Sequence, residues 1–157
     1  MVTVAWLRKT ELFESLEISQ LEGLLSHSSV ESFPQGKTIF RQGDEATSLY
    51  VLMEGEVELS AQTGEKTELM TTKIDREGST FGMPSLIEPF RYNVTATSSK
   101  VSKILVIDAC YLRDRFEEDP KMGMEVMKKL ALIYFERLNR MRLGVSNLLK
   151  MLKEKTR

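Results

Sequence analysis

The stretch from Ser79 to Thr97, STFGMPSLIEPFRYNVTAT, decides the fold of this chain. A Phe-Gly turn at Phe81 and Gly82 leads into a short apolar segment with the pattern of a helix. A proline, a basic residue and a strand-like segment that ends in Val94-Thr95-Ala96 follow. The stretch therefore predicts a tight turn, a short helix and a strand in immediate succession.

Short apolar segments separated by turn residues lie on both sides of this stretch. A continuous apolar run at 49–53 is typical of a buried strand, and Val57 and Leu59 alternate after the Glu54-Gly55 break. Many short strands with glycine turns between them predict an antiparallel sandwich or barrel, a mainly β fold with added helices. The expected strands lie at 30–33, 37–40, 49–53, 57–59, 68–74, 94–97 and 104–107.

Helical patterns occupy both ends of the chain. Residues 1–27 carry leucines at roughly helical spacing, and Ser19 with Glu22 has the pattern of a capping box. Asp119 and Pro120 are typical of a helix start, and the helix is expected to run to about Lys155. We therefore divide the chain into a β domain with N-terminal helices at 1–118 and a long helix at 119–157.

The long helix carries a heptad pattern that predicts self-association. Apolar residues alternate at steps of four and three, at Met127, Ala131, Tyr134, Leu138, Met141, Val145, Leu148 and Leu152. A helix of this length, ~54 Å at 1.5 Å per residue, is too long to be covered by a small barrel. The pattern predicts a parallel homodimer through Tyr134, Leu138, Met141, Val145 and Leu148.

Several motifs together resemble the cyclic-nucleotide-binding domains of the catabolite-activator/Fnr regulators and of cyclic-nucleotide-gated kinases and channels. The quoted stretch is similar to their phosphate-binding cassette. The supporting motifs are Leu12-Phe13 followed by Leu16, Gln42-Gly43-Asp44, Leu49-Tyr50-Val51-Leu52, Gly55-Glu56-Val57, Leu105-Val106-Ile107-Asp108 and Asp119-Pro120. The resemblance covers almost the whole chain and implies a double-stranded β-helix, or jelly-roll, barrel with N-terminal helices and a long C-terminal helix.

The resemblance also implies where a ligand would bind. In this family a short helix presents free N–H groups to the cyclic phosphate, an arginine binds its oxygens, and a glutamate after the glycine accepts from the ribose hydroxyl. Here the glycine corresponds to Gly82, and Met83 stands at the glutamate's position. Met83 is a poor acceptor, and Pro84 removes one N–H donor.

The position of the arginine has two readings. Counting back from Val94 and Ala96 places Phe90 where the arginine belongs, with Arg91 one residue later. In the first reading, a one-residue slip on the strand turns Arg91 to solvent and leaves Phe90 as a core residue or pocket plug. In the second reading, the shortened cassette returns Arg91 to the pocket. The candidate ligand-binding residues are Phe81, Gly82, Met83, Ser85, Leu86, Phe90, Arg91 and Tyr92. A cyclic nucleotide is one candidate ligand, but these departures do not favour it.

Composition limits the remaining alternatives. Cys110, just before a predicted helix, is the only cysteine, so an internal disulfide is excluded and a reducing cytoplasm is expected. A single histidine, His27, rules out a multi-histidine metal centre.

The net charge is −1, but residues 128–157 hold nine basic and two acidic residues, a net +7. This basic segment is expected to be a solvated helix face, the alternative being contact with nucleic acid or an acidic partner.

Three functions compete on this basis. We favour a non-enzymatic, ligand-sensing regulatory module that is not a strong binder of cyclic AMP. The alternative is the sensor part of a Crp/Fnr-type transcription regulator that binds a cyclic nucleotide, which needs a helix-turn-helix domain after the long helix. A cupin-like enzyme would need a histidine-rich metal centre and is the least favoured. No nucleophile–base pair stands out in the sequence, so we expect no enzyme.

Overall fold

The computed structural model of the protein describes residues 2–62 and 68–156. Within them, eight strands form two antiparallel four-stranded sheets, with strand orders β1-β8-β3-β6 and β2-β7-β4-β5. This confirms the predicted mainly β barrel architecture. The strands are β1 (Ser28–Phe33), β2 (Thr38–Phe40), β3 (Ser48–Glu54), β4 (Val57–Gln62), β5 (Glu68–Ile74), β6 (Thr80–Phe81), β7 (Thr95–Ser98) and β8 (Ser102–Asp108).

Four α-helices in the described ranges pack outside the sheets, and a one-turn 3-10 helix lies between β6 and β7. The one-turn helix, Met83–Leu86, is called the cassette helix below. The α-helices are α1 (Val4–Arg8), α2 (Ile18–Ser26), α3 (Ala109–Glu118) and α4 (Pro120–Lys155). The Asp119 side chain accepts from the Met122 amide at 3.2 Å, so α4 begins at the predicted cap.

The N-terminal segment forms helices, as predicted, but the start of the second helix differs from the sequence prediction. The two helices are separated by a turn, in which the Thr10 hydroxyl donates to the Leu7 carbonyl at 2.6 Å. The predicted cap at Ser19 is wrong, because α2 begins earlier and its N-cap is Glu17. The Gln20 side chain accepts from the Glu17 amide at 2.8 Å, so the capping box lies two residues before the predicted one.

Strand β3 is buried on both faces, which explains its continuous apolar run. Leu49 and Val51 pack on the helices, whereas Tyr50 and Leu52 face the interior between the sheets. We call these the helix-side core and the barrel core. The barrel core comprises Phe40, Ala46, Tyr50, Leu52, Val57, Leu59, Ile74, Phe81, Tyr92, Ala96 and Ile104.

The long helix α4 is buried only over its first half. Val126 and Ile133 belong to the helix-side core, but Leu138 is already 42% exposed and Leu148 is 55% exposed. The distal heptad positions are therefore uncovered, as expected from the length of the helix. Between residues 2 and 62 and between 68 and 156, no helix is both long enough and apolar enough to cross a membrane.

Candidate functional site

The candidate site is the cassette, residues 81–92, and its first fixed point is the turn at Gly82. Phe81 pairs with Tyr50 across β6 and β3. Gly82 has a φ of 77°, in the left-handed region. A Cβ on Gly82 would lie 2.8 Å from Tyr50 Cδ2 and 3.2 Å from the Ser48 carbonyl oxygen. Glycine is therefore required here both by backbone conformation and by the close approach of β3.

The cassette helix points its apolar side chains away from the barrel core. Met83 is 1% exposed and Leu86 is 8% exposed, and both belong to the helix-side core. Met83, predicted to line the pocket, therefore packs among helix residues, because the glycine turn directs the first residue of the cassette helix outward from the sheet. The thioether offers no strong hydrogen bond there.

Arg113 of α3 contacts the cassette at two points. Its Nη1 donates to the Ser85 carbonyl at 2.7 Å, and its guanidinium carbon lies 4.2 Å from the centroid of the Phe90 ring. The Ser85 side chain is itself buried, and its hydroxyl has no partner among the described residues. Arg113 was not among the residues predicted from the sequence, since its hydrogen bond spans 28 residues and no local pattern marks it.

Phe90 is the one non-glycine residue of the described chain with a positive φ, at 58°. Its amide donates to the Ile87 carbonyl at 2.8 Å, and its carbonyl accepts from the Ala46 amide at 2.7 Å. The side chain is half-buried beneath Arg113 and lies outside the barrel core. The expected core or plug position of Phe90 is thus replaced by a surface-facing stack, because the left-handed backbone turns its side chain outward.

Arg91 lies on the exposed side of the cassette. Its Nη1 donates to the Gly43 carbonyl at 3.0 Å, and its backbone forms a bridge with Glu45. Of the two readings of the sequence, this placement matches the one in which the slip turns Arg91 to solvent. The guanidinium is engaged with the loop before β3 rather than aimed between the sheets.

Residues 90–92 form a short ladder with the loop at 43–46, which we call the closing ladder. The Tyr92 amide donates to Asp44 at 3.0 Å, and the Gly43 amide donates to Tyr92 at 2.8 Å. With the Ala46–Phe90 bond described above, three backbone hydrogen bonds join the cassette to this loop. The ladder fixes the register that sends Arg91 outward and Tyr92 inward.

Tyr92 completes a buried aromatic cluster between the sheets. Its ring stacks on Phe40 with centroids 3.8 Å apart, and Phe81 stacks on Tyr50 at 5.1 Å. The Tyr92 hydroxyl donates to the Ser48 carbonyl at 2.7 Å and accepts from the Ser48 amide at 3.2 Å. These four rings, the aromatic quartet, occupy the part of the barrel core next to the cassette.

The tyrosines of the quartet are held in their neutral form. Burial raises the pKa of Tyr50, and the neighbouring Tyr92 raises it further. Burial also raises the pKa of Tyr92, against the opposing effect of its hydrogen bonds with Ser48. Both hydroxyls therefore act as neutral hydrogen-bonding groups at physiological pH, and neither supplies an anionic base.

The other singled-out residues lie away from the cassette. Cys110 is exposed in the first turn of α3, not before the helix as predicted, because α3 begins at Ala109. His27 stacks on Tyr111 at 3.7 Å next to the end of α2. Among the described residues, no three His, Cys, Asp or Glu side chains are grouped to hold a metal ion.

Comparison with known proteins agrees with this architecture. A model of the cyclic nucleotide-binding domain family matches residues 30–119. A solved structure of a putative cyclic nucleotide-binding protein from Geobacter metallireducens superimposes with a TM-score of 0.77 at 30% identity. That superposition covers 88% of this chain and 99% of the other.

Two curated relatives are transcriptional or nitrogen regulators. A CRP-like cAMP-activated global transcriptional regulator of Mycobacterium tuberculosis is 24% identical over 125 residues, 80% of this chain. A global nitrogen regulator of Synechococcus elongatus is 45% identical over 58 residues, 37% of this chain. The chain spans 55% of the length of the first relative and 26% of the second.

Replacing Gly82 with alanine should destabilise the fold by about 2–4 kcal/mol, because the new Cβ meets Tyr50 in a left-handed turn. Urea denaturation measures this loss. Gly144→Ala is the matched control, since nothing lies within 4 Å of the position that its new methyl group would occupy on α4. That control should gain about 0.5–1 kcal/mol of helix stability. Equal stability of Gly82→Ala and wild type would contradict the turn described above.

Proposed function

The chain belongs to the cyclic nucleotide-binding domain family, and on that premise we propose that it is a non-enzymatic, ligand-sensing regulatory module that is not a strong binder of cyclic AMP. One observation supports this above the others. The cassette is tied to the barrel by the protein's own side chains, through Tyr92 on Phe40 and Arg113 on Ser85. The protein's own side chains thus supply contacts that hold the cassette on the rest of the domain.

Cyclic AMP binds weakly to such a cassette. Met83 is buried in the helix-side core and has no acceptor for a ribose hydroxyl. Arg91 is engaged with Gly43 at the surface, and Pro84 contributes no amide donor. Losing a hydrogen bond to a charged group costs about 1.5–3 kcal/mol. Two such losses weaken binding by about two to four decades.

Calorimetric titration with cyclic AMP and cyclic GMP tests this directly. We expect no saturable heat with either nucleotide at low-micromolar concentrations. Arg91→Ala should leave that result unchanged and should also leave the fold intact, because Arg91 is exposed. Lys121→Ala, another exposed cation, is the control for the charge change. Low-micromolar binding that Arg91→Ala abolishes would make this an ordinary nucleotide sensor and refute the proposal.

The module works as a parallel homodimer through the distal half of α4. This helix makes up the second part of the chain, residues 119–157. The uncovered seam consists of half-exposed apolar side chains on one helix face, at Leu138, Met141, Val145, Leu148 and Leu152. The seam repeats every seven residues, which matches two-stranded packing. The seam extends beyond the helix-side core, and a second copy of the helix is the partner that fits it best. Tyr134, which packs against the helix-side core, lies at the start of the seam.

Sedimentation velocity at tens of micromolar, roughly the range in which a modest coiled coil associates, tests the dimer. Wild type should sediment as a dimer and Leu138→Glu as a monomer, because two glutamates would face each other in the seam. Asn139→Glu is the matched control: it adds the same charge on the same helix but outside the seam, and should remain dimeric. A monomeric wild type would contradict this part of the proposal.

A second candidate is the sensor part of a Crp/Fnr-type transcription regulator. The observation in its favour is the match of most of this chain to about half of a cAMP-activated transcriptional regulator. In either case the module acts in the cytoplasm, in keeping with its single, exposed cysteine. DNA retardation by this chain at low salt, lost steeply as salt rises, would favour a direct nucleic-acid role over a ligand-sensing one.

A further inference from the structure

A groove outside the barrel runs between α4 and the turn that connects β5 to β6. Its volume is about 470 Å³, within the size range of small-molecule sites. Lys9, Glu11 and Glu14 form a third wall. The α4 side of the groove consists of Lys129, Leu132, Ile133, Glu136, Arg137 and Arg140. Their spacing of three and four residues places them on one helix face, which borders the seam where Arg137 lies four residues before Met141.

Arg137 is the chemically unusual residue of this groove. Its Nη2 donates to the Thr80 carbonyl at 3.0 Å, and its side chain is partly buried. No carboxylate in the described part of the chain lies within 4.0 Å of it, whereas the ion pairs found there span 2.8–4.0 Å. Burial lowers the pKa of Arg137, although Glu11 at longer range partly offsets this. A desolvated guanidinium with unused donors favours an oxyanion partner.

Three nearby carboxylates each accept a hydrogen bond from, or form an ion pair with, another group of the protein. Glu11 accepts from the Thr80 amide at 2.9 Å, and Glu77 accepts from the Trp6 indole at 2.7 Å. Glu14 pairs with Lys129 at 2.8 Å. Each of these three carboxylates makes its contact with a group other than the Arg137 guanidinium. Their charges, with those of Asp75 and Glu136, disfavour a polyanion and limit the ligand to low charge.

We propose that this groove binds a small metabolite that carries one carboxylate or phosphate group, with Arg137 as the residue that binds the oxyanion. Arg140, Lys9 and Arg76 line the same groove and add positive charge. Leu132 and Ile133 provide an apolar surface for the rest of the molecule. The groove is separate from the cassette, so the proposal does not depend on whether the cassette binds a nucleotide.

The test is a titration of the full chain with inorganic phosphate and, separately, with sodium acetate, followed by amide chemical shifts at constant ionic strength. Sodium chloride is the reference. We expect saturable shifts at Ser79, Thr80 and residues 129–140. Arg137→Gln should weaken the apparent affinity by about tenfold or more, because it removes the charged hydrogen bonds. Lys121→Gln removes an exposed charge elsewhere on α4 and should leave the affinity unchanged.

The two probes distinguish the ligand classes. Saturation by phosphate alone indicates a phosphate-bearing metabolite, and saturation by acetate indicates a carboxylate. If Arg137→Gln fails to fold, Arg137→Lys keeps the charge and should still weaken binding, since it loses the planar fork. Three results would overturn the proposal: no saturable shift with either probe up to about 50 mM, far above a millimolar site; equal binding by the folded Arg137 variant; or shifts confined to residues 82–91.

Discussion

The stack of Tyr92 on Phe40, with the Tyr92 hydroxyl bound to Ser48, is the contact on which the cassette depends. It anchors the returning arm of the cassette to β2 and to the first residue of β3. An aromatic pair contributes about 0.5–1.5 kcal/mol beyond its buried area, and a buried hydrogen bond about as much. Because Tyr92 must point inward to make these contacts, the preceding residue, Arg91, must point outward. The outward direction of Arg91 therefore follows from the packing of Tyr92 in the barrel core.

Strand β3, which is buried on both faces, connects the contact between Tyr92 and Phe40 to the helices. Alternate residues of β3 serve the barrel core and the helix-side core, so the strand that carries Tyr50 also carries Leu49 and Val51. The cassette crosses from one core to the other within two residues, from Phe81 in the barrel core to Met83 in the helix-side core. Arg137 of α4 then binds the carbonyl of Thr80, just before this crossing. One guanidinium thus connects α4 to the residue that directly precedes the cassette.

Much of this fold could be predicted from the sequence, because strands, turns and the long helix leave local patterns. The glycine turn at Gly82 and the cap at Asp119 are examples, each readable within four residues. The start of α2 was placed two residues too late, since Ser19 and Glu22 also fit the pattern of a capping box. Arg113 was also missed, because its role comes from a contact between distant segments. The aromatic quartet joins four separate segments, so residue types alone could not show that Phe40 meets Tyr92.

Amide hydrogen exchange at Ala46 and Tyr92, measured without added nucleotide, tests most directly whether the protein's own contacts hold the cassette closed. Both amides belong to the closing ladder, and their exchange reports its opening. The structure predicts slow exchange at both, with an opening free energy close to that of core amides in β3 such as Val51. Exchange at both positions as fast as in an unstructured peptide, while Val51 stays protected, would show that the cassette is open and would contradict this account.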